Sequence, residues 1–198
     1  MFRPRLALSS LSGRSDAEWA KGGAPYAGLA IMGGVALDEA TREAARRLVE
    51  DRDRTEFLPP DPIAFVDSQL TTLAAAPIEA GFNVRAVEHE PLREAARRCR
   101  AHGAILEINA HCRQEEMCAV GAGETLLREP DRLAEQVRVA AETGARVGVK
   151  VRAGLPGVSL PDLGRRVVEA GADVLHVDAM DSESVIEAVA EGTDAFVI

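Results

Sequence analysis

The chain reads as an α/β protein, a (β/α)8 TIM barrel, and three observations carry that reading. From residue 83 onward, strand-like and helix-like segments alternate at roughly 22 to 40 residues per unit, the rhythm of parallel crossovers. Strand-like stretches such as AGLAIMGG are apolar from end to end, as a parallel sheet covered on both faces requires. Gly-Ala-Arg and Gly-Ala-Asp precede two of the later strands, a recurrence that suits a closed barrel better than an open sheet. Seven strands are supplied, and an eighth only if IAFV counts. The expected barrel is therefore either complete or incomplete at its C-terminus.

The elements follow in order. RLALS forms a first short strand, and SLSGRSD turns into a helix, AEWAK, capped by Asp16 or Ser15. AGLAIMGG is the second strand. ALDEATREAARRLVEDRDR repeats Ala40, Ala44, Ala45, Leu48 and Val49 at helical spacing. In the ambiguous FLPPDPIAFVDSQLTTLAAAPIEAG, Pro62 after Asp61 makes a helix start, and the spacing of Phe65, Leu70, Leu73 and Ala76 favours a helix over a strand. FNVRAV is a strand, followed by a helix from near Pro91 to Gly103. ILEIN is the next strand, with a polar loop carrying Cys112 and Cys118. A helix from Pro130 through Thr143, the strand ARVGVKVRAG, a loop and helix over LPGVSLPDLGRRVVEAG, the strand ADVLHVD, the helix DSESVIEAVAEG and a last strand, DAFVI, complete the order.

With 198 residues, 46% of them hydrophobic and 4% aromatic, the chain suits one TIM-barrel domain over 1–198 with an Ala, Val, Leu and Ile core and no separate RNA-binding domain. Neither a membrane-length apolar run nor a charged-then-apolar leader is present, so a soluble, cytoplasmic protein with no membrane partner is expected. A net charge of −9 argues against a generally nucleic-acid-binding surface. The arginine-rich helices near 42–54 and 93–100 carry acids as well, so they read first as solvated faces. Of 23 basic residues only Lys21 and Lys150 are lysines. Three cysteines, an odd number, do not suggest a disulfide framework, and Cys99 falls on a helix as a small hydrophobe.

On a barrel, groups at the carboxyl ends of strands converge on one face. Those ends supply Ser9 and Ser10, Met32 to Gly34, Glu88, Asn109 with His111 and Cys112, Lys150 with Arg152, and His176 with Asp178. Cys112 is a thiol acid, a nucleophile or an inert loop cysteine; His111 and Arg113 beside it would favour a thiolate. A metal site from His111, Cys112 and Cys118 has the ligand types but not the usual zinc spacing, and no metal is expected. Lys150 lies inside VGVKV, where a compact ammonium is either needed or retained by chance. His176 and Asp178 share a strand face, one of them aimed at a site or His176 satisfied in the core. Gly121 and Gly123 permit a tight turn into a helix.

The segment NAHCRQEEMCAVGAGETLL resembles the signature of tRNA-dihydrouridine synthases, in which Asn ends a strand, a Gly-Cys-Pro follows, and Gly-x-Gly-x-x-Leu-Leu closes the loop. VGVKVRAG and GADVLHVDAM are similar to two later strands of that family. As a whole the chain is most similar to a short archaeal branch of FMN-linked TIM-barrel proteins related to these synthases. The likeness covers about residues 83–198, with the N-terminal third matching in outline. Gly-Cys-Pro is replaced by His111-Cys112-Arg113, and Asp178 stands where the family has a histidine.

The resemblance implies a flavoprotein that binds FMN and reduces the uracil 5,6 double bond, hydride coming from the flavin and a proton from a cysteine. Cys112 would be that catalytic donor. Asn109, His111 and Arg113 would contact substrate, and Lys150, Asn109, His176 and Asp178 would contact the cofactor. Implied partners are tRNA and a nicotinamide electron donor, and a homo-oligomer would cover the last strand. The alternative is a non-flavin barrel, either a binding or regulatory protein or a lysine-dependent enzyme, using the same strand-end groups.

Overall fold

Helices begin where the sequence offers a capping oxygen. Asp16 accepts from the Trp19 amide at 2.8 Å to start α1 (Ala17–Gly23). Asp38 accepts from the Thr41 amide at 3.0 Å to start α2 (Glu39–Arg52), and Asp61 accepts from the Ile63 and Ala64 amides, both at 2.9 Å, to start α3 (Pro62–Leu73). The IAFV stretch is thereby helical, because Asp61 and Pro62 pre-form its first turn. The second oxygen of Asp38 accepts from the Val87 and Glu88 amides at 2.6 and 3.1 Å. One buried carboxylate thus caps a helix and fixes the end of the neighbouring strand.

The computed structural model describes residues 2–180 and 182–198. The strands are β1 (Ala7–Leu8), β2 (Leu29–Ala36), β3 (Glu79–Arg85), β4 (Ile105–Ala110), β5 (Arg146–Arg152), β6 (Val174–Asp178) and β7 (Phe196–Val197). All pair in parallel, and neighbours in sequence are neighbours in the sheet. The remaining helices are α4 (His89–Ala101), α5 (Glu115–Ala119), α6 (Thr125–Arg128), α7 (Pro130–Ala141), α8 (Leu160–Glu169) and α9 (Ser184–Gly192). The helix expected over DSESVIEAVAEG is α9; its expected first residue, Asp181, lies outside the described residues.

The result is a seven-stranded sheet curled as an incomplete TIM-type barrel, which sharpens the expectation of eight strands. Its outward side chains, among them Phe82, Val84, Leu106, Ile108, Val147, Val149 and Leu175, pack against Leu70, Leu92, Leu133, Val137, Leu163 and other residues of the helix layer in the main core. Strand pleating sends alternate residues inward. At the floor of the interior a smaller cluster joins Phe2, Leu29, Ile31, Ile105 and Val174 to Phe196, and the Phe2 and Phe196 rings meet edge to face at 5.5 Å. Both ends of the sheet therefore come together at its base.

One loop differs from expectation. Cys118 lies on a short helix, α5, because Met117 is fully buried against Ala44, Ala45 and Leu48, and Arg52 pairs with Glu115 and Glu116. Among the described residues, no helix is long and apolar enough to cross a membrane.

Candidate functional site

Above the apolar floor, the inner face of the sheet turns polar. Residues two apart place Asn83 and Arg85 on β3, Glu107 and Asn109 on β4, Lys150 and Arg152 on β5, and His176 and Asp178 on β6 along one face. Parallel register sets Asn83 opposite Glu107, Asn109 opposite Lys150, Lys150 opposite His176, and Arg152 opposite Asp178. Asn83 Nδ2 donates to Glu107 Oε1 at 2.7 Å, and His176 Nδ1 lies 2.7 Å from Glu107 Oε2. Asn109 Nδ2 donates to Asn83 Oδ1 at 2.9 Å. Lys150 Nζ crosses the interior to donate to Ser9 Oγ at 2.6 Å. Asn83 fits because Gly34 lacks a Cβ, which would sit 2.5 Å from Asn83 Oδ1.

The loop above β4 is held just as tightly. Asn109 Oδ1 accepts from the His111 and Cys112 amides at 3.3 and 3.0 Å, and His111 Nδ1 lies 3.1 Å from Asp178 Oδ2. The Cys112 carbonyl accepts from the Glu124 amide at 2.8 Å and from the Cys118 thiol at 3.7 Å. Gly123 has φ +66°, and a Cβ there would fall 2.2 Å from that carbonyl. The Asn–Cys–Gly spacing is thus a loop-closing device in its own right.

These groups line a cavity of about 760 Å³ at the carboxyl ends of the strands. Among the described residues its charged walls are Arg54, Arg85, Arg113, Lys150 and Arg152, with Asp178 as the one carboxylate, in a chain of net charge −9. Arg85 is buried and donates to Glu56 at 2.8 Å and to Ser12; Arg152 donates to Glu124 at 3.3 Å. The Nε–H groups of Arg85 and Arg152 are buried without a partner, each costing about 1–3 kcal/mol unless an acceptor arrives.

Burial, reinforced by the Lys150 ammonium, pushes His111 down to about 4 against the pull of Asp178, so its imidazole is neutral at pH 7. Burial opposes ionisation of Glu107, but His176, Lys150 and the Asn83 hydrogen bond outweigh it and hold the carboxyl below its ordinary range. Burial likewise opposes the charge on Arg85, and Glu56 and Cys112 more than offset it. Cys99, buried on α4, is pushed up to about 12 and is an inert hydrophobe.

Of the residues singled out in the sequence, Asn109, His111, Cys112, Arg113, Lys150, Arg152, His176 and Asp178 come together in this cavity with Ser9 and Ser10. Met32 faces the helix layer, and Glu88 stands at the start of α4. The neutral His111 does not supply the positive charge that would favour a Cys112 thiolate. Sequence reading missed Asn83, Arg85, Glu107 and Glu56. A carboxylate in the middle of the apolar ILEIN strand was the available signal for Glu107.

A metal held by His111, Cys112 and Cys118 is not supported. His111 is engaged by Asp178 and Cys118 by the Cys112 carbonyl, and among the described residues no group of three or more His, Cys, Asp or Glu is placed to hold an ion. A second cavity, of about 600 Å³, lies beside α8, but its Arg128, Arg165 and Arg166 are already engaged by Pro156, Asp162 and Asp131.

No protein-family model matches the chain. It is similar to an uncharacterized protein of Methanocaldococcus jannaschii, 27% identical over 178 residues that cover 88% of this chain and 68% of that protein. Its fold matches the crystal structure of 2,3-dimethylmalate lyase, a PEP mutase/isocitrate lyase superfamily member, with TM-score 0.61 and 11% identity over 96% of this chain. A Burkholderia cenocepacia J2315 protein described as a lyase/mutase matches with TM-score 0.61 and 15% identity over 98% of this chain. The chain spans 65% of the length of the first structure and 68% of the second. The likeness is one of fold.

These neighbours overturn the dihydrouridine-synthase resemblance, and with it the flavoprotein, the FMN cofactor and the uracil-reducing oxidoreductase. The motif that suggested them is explained locally by the closure of the Cys112 loop. Lys150, His176 and Asp178 engage Ser9, Glu107 and His111. The non-flavin alternative fits better.

Proposed function

We propose that the chain is a lyase- or mutase-type enzyme acting on a small carboxylate-bearing compound. One observation carries this reading: two imidazole–carboxylate pairs, His111–Asp178 and His176–Glu107, stand on either side of Lys150 in a cation-lined cavity at the strand ends. The structural neighbours are a 2,3-dimethylmalate lyase and a protein described as a lyase/mutase, and 2,3-dimethylmalate is a small dicarboxylate.

Such chemistry removes a proton, breaks or moves a bond beside a carboxylate, and leaves an enolate that must be stabilised and reprotonated. His111, neutral at pH 7, is suited to accept the proton, and Asp178 stabilises the imidazolium that forms. Glu107 fixes the orientation of His176 in the same way from below. Lys150, Arg152 and Arg113 face the negative charge that develops. Asn109 holds the loop that carries His111 and Cys112, so the geometry exists before substrate enters.

The test is conversion of a panel of short 2-hydroxy and 2-oxo mono- and dicarboxylates, followed by product NMR. Turnover of at least one member is expected, with His111→Asn slower by roughly 10²–10⁴-fold. A panel left unchanged by the wild-type chain would sink the enzymatic reading.

A further inference from the structure

We infer that the cavity is a guanidinium and ammonium cradle for a dianion, filled without a divalent cation. This deepens the reading above, because it rests on the same cavity being the substrate site. Enzymes that build negative charge on a carboxylate need a positive counterpart, which either a metal ion or fixed side-chain cations supply. The donor set here suits only the second. A divalent cation of the magnesium kind asks for carboxylate and carbonyl oxygens. Glu107 has both oxygens engaged, by Asn83 and by His176, and Asp178 is held by His111. Around them stand Arg54, Arg85, Arg113, Lys150 and Arg152, which repel a dication and attract an anion.

Two of the arginines that line the cavity each carry an N–H without an acceptor. Arg85 is 3% exposed and already spends its terminal nitrogens on Glu56 and Ser12, yet its Nε–H is left without an acceptor. Arg152 spends one terminal nitrogen on Glu124 and also leaves its Nε–H buried without an acceptor. The chain's two other buried atoms of this kind, Arg42 Nη1 and Glu116 Oε2 among the described residues, belong to side chains that do not line this cavity. Arg85 is on β3 and Arg152 on β5, with β4 between them. Two strand spacings separate their Cα rows by roughly 10 Å, more than one carboxylate spans. A ligand with two acidic groups, one taken by each guanidinium, satisfies both, and Lys150, two residues before Arg152 on β5, adds a third cation to the same wall.

The experiment is isothermal titration of the whole chain with oxalate, malonate, succinate and acetate, each in EDTA and again with magnesium chloride. At least one of the three dicarboxylates should bind with the same affinity in both buffers and at least roughly tenfold tighter than acetate. Arg152→Gln, whose side chain is partly exposed and whose loss spares the buried core, should weaken that binding by roughly tenfold or more, as loss of a charged hydrogen bond does. Circular dichroism confirms the variant is folded. Arg85→Gln opens the buried pair with Glu56 and is read only if its unfolding transition remains cooperative. Binding that appears only with magnesium, acetate as tight as the dicarboxylates, or no dicarboxylate binding at all overturns the inference. Metal-independent dicarboxylate binding with no turnover in the panel would leave the cradle standing and remove only the proposed reaction.

Discussion

The two faces of the curled sheet are made from the same strands and obey opposite rules. On β4, Leu106 and Ile108 point out into the helix layer, 0% and 2% exposed. Their neighbours Glu107 and Asn109, just as buried, point in and are held by Asn83, His176 and the Cys112 loop. The outer face is filled by shape and area, and its members are interchangeable within limits of volume. The inner face is filled by hydrogen bonds and charge, and removing one member strands another. Stability is concentrated on one side of the backbone and chemistry on the other, a residue apart.

Substitutions one residue apart on β4 test that division. Leu106→Ala should cost about 2–5 kcal/mol in denaturant unfolding, the transfer and cavity cost of a closely packed site, while leaving dicarboxylate affinity within about twofold in titrations below the unfolding transition. A loss of affinity as large as that of Arg152→Gln would mean that the outer face also shapes the cavity. Next door, Glu107→Gln keeps the volume but removes the charge facing His176 and Lys150. It should cost about 1.5–3 kcal/mol and, unlike Leu106→Ala, also change ligand affinity, because Lys150 gains an uncompensated charge. An effect on stability alone would reduce the inner network to scaffolding.

The outer face and its helices were legible in the sequence for local reasons. Asp61-Pro62 announced α3, Asp16 announced α1, and apolar runs announced the covered strands, because caps and periodicity act within a few residues. The strand-end rule likewise collected Asn109, His111, Cys112, Lys150, His176 and Asp178 in one place. What was not legible is who holds whom. Glu107 meets His176 across 69 positions of chain and Asn83 across 24, and that pairing depends on register that no window of sequence contains. The flavin reading failed for the complementary reason. Asn109, Cys112 and Gly123 are close in sequence, and their spacing is explained by a loop that must close on itself, whatever stands above it.

Acid titration separates the two imidazole–carboxylate pairs. His111 is held at about 4 in the folded chain, well below the ordinary imidazole value of 6.5, so the unfolded chain takes up a proton first. Stability should therefore fall as pH drops from about 6.5 towards 4 and level off below, where both states are protonated. Glu107 is held below the ordinary carboxyl value of 4.5, so its contribution is present above that value and is lost only at lower pH, as its folded-state carboxyl is protonated. Unfolding midpoints measured at intervals from pH 7 to 3 should show the first loss disappear in His111→Asn and the second in Glu107→Gln. A His111→Asn profile still sloping between pH 6.5 and 4 would place the responsible proton elsewhere.

The smallest effect is expected from the arginines that look most numerous. Arg97 on α4 pairs with Glu90 and Glu94 at 3.7 and 3.1 Å, but its side chain is half exposed, with water and salt screening the attraction. Arg97→Ala should change stability by no more than about 0.5 kcal/mol and leave dicarboxylate titrations unchanged. Arg152 is an arginine in an ion pair as well, and the difference lies in what remains unsatisfied: Arg152, which lines the cavity, keeps a buried N–H without a partner, and Arg97 has none among the described buried groups. If Arg97→Ala weakened ligand binding as much as Arg152→Gln, the ligand would be responding to the summed charge of the arginines, and the orphaned donors would lose their meaning.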